Sequence, residues 1–400
     1  MKIISSHKVT LIIFSFIILL TACSKFEPAG PAEEDILDGP IEGLTIEQNA
    51  QFLRGDANVN EIFTSKTGLG SVFVASNCIS CHAGDGKGTP FTTLTRFGQI
   101  DSTGNQFLHL GGPQLQNRAI QGFNPEQIPI GATSAKFTPP AFTGLGYLQF
   151  VTDQYIINMA DPNDADGDGI SGVPSWINIP STITPDPNAV TNNGKYLGRF
   201  GKKASAYDLL HQTVNAYNQD MGITSIFDPF DVYSHIEIDP EVSTQKINDV
   251  VAYLKTLKAP IQRKKEDAEI LFGQNLFVQA KCASCHVQQL QTGFSSIDAL
   301  SNKTFYPYTD LLLRDMGNGL DDGYTEGSAK TYEWRTPPLW GLGLSPNSQG
   351  GQYFLMHDGR ARSIEEAILL HGGEATQSKT NYTQFSQADK DALIIFLKSL

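Results

Sequence analysis

The chain has 400 residues, more than one typical domain, and sets 29 Lys and Arg against 42 Asp and Glu for a formal charge of −13. That balance argues against nucleic acid and against an anionic membrane surface as partners; it suits a solvated acidic surface or a basic redox partner. The apolar share of 40% is ordinary and is enough for a packed core.

At the N-terminus Lys2, His7 and Lys8 precede an apolar run from Val9 to Leu20, which closes on Leu20-Thr21-Ala22-Cys23. The run is too short to span a bilayer as a stable helix, and it has the charged front and small-residue end of an export signal. A Cys directly after Leu-Thr-Ala is similar to the bacterial lipoprotein signal, so residues 1–22 are expected to be removed and Cys23 lipidated. Residues 23–44 are rich in Pro, Gly, Asp and Glu and read as a flexible tether. The expected location is the cell envelope, anchored by lipid and facing the periplasm; Ser24 after the Cys favours the outer membrane by similarity to known sorting.

Four of the five cysteines fall into two strings, Cys78-Ile79-Ser80-Cys81-His82 and Cys282-Ala283-Ser284-Cys285-His286. Each reads C-x-x-C-H, the attachment signature of c-type haem. Two thiols three positions apart on one turn reach the two vinyl groups of one porphyrin, and the adjacent His turns its imidazole to the iron. A thioredoxin-like site needs no such His, and a four-Cys zinc site does not place one after each pair. Two covalently bound haems are therefore expected, with Cys78, Cys81, Cys282 and Cys285 as attachment points and His82 and His286 as proximal ligands.

The strings around these motifs repeat. Phe73-Val74 and Phe277-Val278 each begin five residues ahead of their first Cys, and Phe137-Thr138-Pro139-Pro140-Ala141-Phe142 is echoed by Arg335-Thr336-Pro337-Pro338-Leu339-Trp340. Gly144-Leu145-Gly146 likewise returns as Gly341-Leu342-Gly343. Each half closes on a helical pattern, with apolar residues at Val250, Tyr253, Leu254, Leu257 and at Leu393, Phe396, Leu397, Leu400. The duplication predicts a mainly α fold of two tandem cytochrome c-like domains with long loops, at 45–260 and 261–400. The boundary falls at Lys258-Ala259-Pro260-Ile261, and the first domain carries an insertion around 161–200 rich in Pro, Asn, Asp and Gly.

Further strings carry a family resemblance: Gly112-Pro113-Gln114-Leu115-Gln116-Asn117-Arg118, the run Asp164–Gly172, Gly198-Arg199-Phe200-Gly201, Asp220-Met221-Gly222 and His357-Asp358-Gly359-Arg360. With the two C-x-x-C-H motifs they make the chain resemble the bacterial di-haem cytochrome c peroxidases, and more closely the di-haem oxidoreductase family. The resemblance implies one haem for electron entry and one facing substrate. It also implies an exported electron donor (a small cytochrome or a cupredoxin) and a small-molecule oxidant, peroxide or similar. Where the peroxidases carry a distal Met after the His-Asp-Gly string, this chain has His371, which implies His286/His371 ligation of the second haem; Met316 is the competing ligand. Asp220-Met221 resembles the Glu-Met pair near the peroxide site, so Asp220 is the candidate proton shuttle and Met221 either a distal ligand or core. His109 and His211 remain alternative sixth ligands.

Asp164, Asp166 and Asp168 fit the first half of an EF-hand-type loop, although Ser175 stands where a Glu would complete it. Ca2+ is the expected ion, by similarity to the peroxidases; a metal-free Asp/Gly turn is the alternative. Trp334 and Trp340 either couple the haems or wall a porphyrin. A non-catalytic di-haem electron carrier remains the rival to the peroxidase reading.

Overall fold

Both stretches with apolar residues spaced at i, i+3, i+4 and i+7 form long helices in the computed structural model, which describes residues 32–101 and 105–400. The export signal, Cys23 and the tether up to residue 31 lie outside the described residues. In chain order the helices are α1 Ile46–Val59, α2 Leu145–Gln149, α3 Asp153–Asn158, α4 Leu209–Met221, α5 Thr244–Thr256, α6 Ala268–Gln279, α7 Ser345–Ser348, α8 Ile364–Leu370, α9 Thr376–Gln384 and α10 Gln387–Ser399. Side-chain caps set their starts: Thr45 and Gln48 close a capping box on α1, and Ser243 and Ser386 accept from the third residues of α5 and α10. None of the described helices is long and apolar enough to cross a membrane.

The expected mainly α fold of two cytochrome c-like domains is not what forms. Among the described residues, turns and loops outnumber helices and strands together. Composition gives the physical reason, since 37 Gly and 21 Pro interrupt both regular structures between the long helices. What fills the intervals is a set of short antiparallel ladders: β1 Val72–Phe73 with β3 Arg118–Ala119, and β2 Leu94–Phe97 with β4 Ser134–Phe137. β5 Ser175–Ile177, β6 Thr191–Asn192 and β7 Lys195–Gly198 order as β5-β7-β6 within the Pro/Gly-rich insertion. β8 Leu290–Gln291 pairs with β9 Thr304–Phe305, and β10 Leu313–Asp315 with β11 Glu333–Arg335.

Two helix crossings organise the packing of Leu37–Leu400, which form one compact unit. α1 lies on α5, and α6 lies on α10. Each crossing turns on one glycine. A Cβ on Gly55 would stand 2.2 Å from the Asp249 carbonyl oxygen, and one on Gly273 would stand 2.2 Å from that of Ala392. At these two points a side chain would force the helices apart. Around the first crossing a large core gathers Phe52, Tyr217, Val250, Tyr253 and Leu254, and also Leu290, Phe305 and Trp340 from the later chain. A second core gathers Phe277, Tyr308, Leu393, Phe396 and Leu397 around the other crossing. A third joins Phe137 to Leu320, Tyr324 and Trp334.

Candidate functional site

Each C-x-x-C-H string forms a single tight turn. The His82 amide donates to the Cys78 carbonyl at 3.1 Å, and the His286 amide to that of Cys282 at 3.0 Å. Lead-in segments hold the turns: β1 precedes the first, and α6, ending at Gln279, precedes the second. All four cysteines carry free thiols. Burial pushes Cys78 and Cys282 up to about 12 and Cys81 and Cys285 up to about 11. These are protonated thiols at neutral pH.

The two histidines are oriented alike. His82 Nδ1 lies 2.8 Å from the Pro140 carbonyl oxygen, and His286 Nδ1 lies 3.0 Å from that of Tyr308. A carbonyl only accepts, so Nδ1 carries the proton in each and Nε2 keeps its lone pair. Burial pushes both imidazoles down to about 4, aided at His286 by the charge of His371. Both residues are half-buried and keep some accessible surface. The Phe142 ring stacks on His82, with centroids 4.0 Å apart.

His371 caps the C-terminal end of α8 and is near enough to His286 for its charge to act there. Its own Nδ1 is 2.7 Å from the Ala367 carbonyl, so its Nε2 is left without a proton too. Met316 packs beside Trp334 and Met356 in the third core instead. His109 is exposed, while His211 is buried and accepts from the Tyr207 amide at 3.3 Å.

Asp220 lies near the end of α4, where its carbonyl accepts from Val74 and Ala75 just ahead of the first motif. Its charge acts on both Cys78 and Cys81. Gln114 Nε2 donates to the Asp220 carboxylate and, at 3.0 Å, to the Gln219 carbonyl. Gln116 Nε2 donates to the same carbonyl at 2.9 Å, and Arg96 Nη1 to Gln219 Oε1 at 2.7 Å. Burial raises the Asp220 carboxyl above its ordinary range, against the Gln114 hydrogen bond and the Arg96 charge. The side-chain oxygens of Gln114 and Gln116 are buried with no donor among the described residues. Met221, next to Asp220, is 2% exposed and packs in the large core.

Gln114 and Gln116 stand in a string that the resemblance already used, yet only the fold reveals that they meet Asp220. Arg96 had no sequence signal.

In the acidic loop the carboxylates of Asp161, Asp164 and Asp166 come within 4.8 Å of one another, so Asp161 takes the place expected of Asp168. Asp168 turns its Oδ1 to the Ile170 amide at 2.9 Å, and Asp161 and Asp164 also accept from loop amides. Trp334 stacks on His357 with ring centroids 3.7 Å apart, and His357 Nε2 meets Asp322 at 2.6 Å. Trp340 lies instead in the large core against Phe305.

The donor set fits a haem at each motif: paired thiols on one turn, followed by a half-buried imidazole whose Nε2 keeps its lone pair. None of the curated proteins compared with the chain matches it. Among solved structures, a chain of Kuenenia stuttgartiensis hydrazine synthase is similar over 94% of this chain and 96% of its own, at 13% identity and a TM-score of 0.39. That likeness is too low to support an argument. The family described as "Di-haem oxidoreductase, putative peroxidase" matches residues 130–400, which hold the second motif, His371 and Asp220. By that match, over more than half its length, the chain belongs to the di-haem oxidoreductase family.

Proposed function

We propose that the chain attaches one c-type haem at Cys78, Cys81 and His82 and another at Cys282, Cys285 and His286. On this reading it passes electrons from the second haem to the first, where a small oxidant such as peroxide is reduced. The observation that carries the reading is the asymmetry around two like-oriented histidines. His286 has a second imidazole, His371, close enough for its charge to act there and with an unprotonated Nε2 that would be available to help hold the second haem. Beside the first motif stand a carboxyl and two amide oxygens without donors.

Bound haem would supply one-electron redox chemistry and, at an open axial position, a place for the oxidant. The rest falls to the chain. Asp220, whose carboxyl burial raises above its ordinary range, is the group placed to deliver a proton to the departing oxygen. Gln114 orients that carboxyl, and the free Gln114 and Gln116 oxygens can accept from the oxidant's own protons. Reducing peroxide to two waters takes two electrons and two protons, so a proton route is needed as well as a wire.

Electrons would come from an exported small cytochrome or cupredoxin, and the Cys23 signal supports a lipid-anchored position in the envelope. The Asp161 loop supports a Ca2+ site. His371 also favours a second reading, a pure electron carrier, because a closed axial position suits transfer without substrate.

Spectra of the haem-loaded chain, oxidised and half-reduced, before and after hydrogen peroxide, decide between them. A high-spin signal that peroxide removes while the ferrous haem is oxidised is the expected result. Two low-spin haems inert to peroxide would leave only the carrier.

A further inference from the structure

Two neighbouring lysines are treated differently by this fold. Lys203 is fully buried, and its Nζ donates to three backbone carbonyls, those of Lys330 at 3.0 Å, Thr331 at 2.9 Å and Glu333 at 2.7 Å. Lys202 next to it is only half-buried and keeps accessible surface. Among the described residues its Nζ has no hydrogen-bond acceptor and no carboxylate within 4 Å. The charges that reach it are those of Lys87 and Arg335, both repulsive, and of Asp358, which is already paired with Arg360 at 2.7 Å.

The three cations are held in place by backbone. The Arg335 amide donates to the Lys202 carbonyl at 2.9 Å, and its Nε donates to the Gly201 carbonyl at 2.9 Å. Ser348 Oγ pins the Lys87 carbonyl at 3.0 Å, while the Lys87 ammonium has no hydrogen-bond or carboxylate partner among the described residues. Burial pushes Lys87 down to about 8, and burial with the neighbouring cations pushes Lys202 down to about 7. Arg335 is reached by the Asp310 charge and also donates Nη1 to the Thr336 carbonyl at 3.2 Å. Neither ammonium has a paired carboxylate among the described residues, and gathering such cations in a low dielectric is costly, so an anion that belongs there explains the cluster.

The position of the cluster identifies the anion. Lys202 acts on His82, whereas the charges acting on the Cys78 and Cys81 thiols are Asp220 and Arg118. A c-type haem is tethered by its thioether edge and carries its two carboxylates on the opposite edge. Lys202 therefore stands on the His82 side, apart from Asp220 and Arg118, the charged residues that act on the thiols.

We propose that Lys87, Lys202 and Arg335 form a carboxylate clamp, drawn from both halves of the chain, that holds the propionates of the haem attached at Cys78 and Cys81. The clamp rests on the haem attachment proposed above, and the test separates the two. Haem is counted per chain in wild type, Lys202→Met, Lys87→Met and the charge-keeping Lys202→Arg, and the potentials of both haems are titrated spectroelectrochemically. With two haems attached throughout, Lys202→Met should favour the ferric form of one haem about tenfold, a fall of about 59 mV for a one-electron couple, and leave the other haem unchanged. Lys87→Met should lower the same potential, and Lys202→Arg should match wild type. Unchanged potentials in both Met variants would overturn the clamp while leaving haem attachment intact. Wild type is also titrated with sodium acetate and with inorganic phosphate. A potential indifferent to both is expected, whereas a saturable shift would assign the cations to a free anion instead. A wild-type chain with no haem on its first motif would sink the clamp and the attachment together.

Discussion

The first motif sets His82 against the Phe142 ring at 4.0 Å and the Pro140 carbonyl; the second leaves His286 unstacked, 6.4 Å from the tilted Phe277 ring and within reach of His371's charge. Their supports are nonetheless alike. Gly55 and Gly273 sit at the same kind of helix crossing, and a Cβ on Gly146 or Gly343 would run into the Lys255 or the Lys398 carbonyl oxygen. Thr138 and Thr336 each bind one backbone carbonyl through both amide and hydroxyl, that of His357 and that of Leu312. The repeated scaffold has been kept where backbone meets backbone. It has diverged on the side chains that face the two histidines, which is where electron entry and chemistry would part company on the proposed function.

Removing one pair of thiols should break the comparison most sharply. Cys78→Ser with Cys81→Ser, or Cys282→Ser with Cys285→Ser, should each leave one haem per chain by pyridine haemochrome and abolish turnover. Retention of two haems in either variant would refute attachment at that motif. Next comes Asp220→Asn, expected to lower peroxide turnover by about 10²–10⁴-fold with haem content unchanged. If turnover holds, the carboxyl is structural. His371→Met should raise the potential of one haem only and alter its low-spin spectrum, because thioether ligation raises potentials. An unaltered spectrum would remove His371 from the iron.

A smaller effect follows from the neutral imidazoles. In the haem-free chain His82 and His286 titrate near 4 against about 6.5 when unfolded, so the unfolded state takes up protons first. Their contribution is fully present above about pH 6.5 and is lost as the pH falls toward 4. Melting temperatures across that range should drop, and should drop less in a His82→Gln, His286→Gln double variant. The least of these effects is Gly55→Ala against Gly273→Ala, each costing about 1–3 kcal/mol by overpacking. Unequal losses in chemical denaturation would show that the two crossings are not equivalent.

Much of the site was legible because covalent chemistry demands contiguous residues: two thiols and an imidazole on one turn are written side by side. Terminal helices were legible from their spacing, and α5 and α10 lie where Val250–Leu257 and Leu393–Leu400 put them, give or take the cap. The short ladders were not, since strands of two to four residues have no periodicity to read. Nor was the Asp220 network, which joins Gln114 to a residue 106 positions away. Asp161 was missed because the EF-hand template starts counting at Asp164, while the loop closes one turn earlier. Lys202 and Arg335 have meaning only together, and the contact between them forms across the two repeats.

Lys203 has a consequence for electron routing. Its ammonium lies 3.8 Å from the centre of the Trp334 ring, on a residue burial pushes down only to about 8, so it stays charged at neutral pH. Taking an electron from that indole would create a second positive charge at this range, a repulsion of about 4 kcal/mol at an effective dielectric of 20. The ring is thereby made hard to oxidise. On the proposed function, that would favour Trp334 insulating rather than relaying, with a hole formed at either motif travelling by some other path.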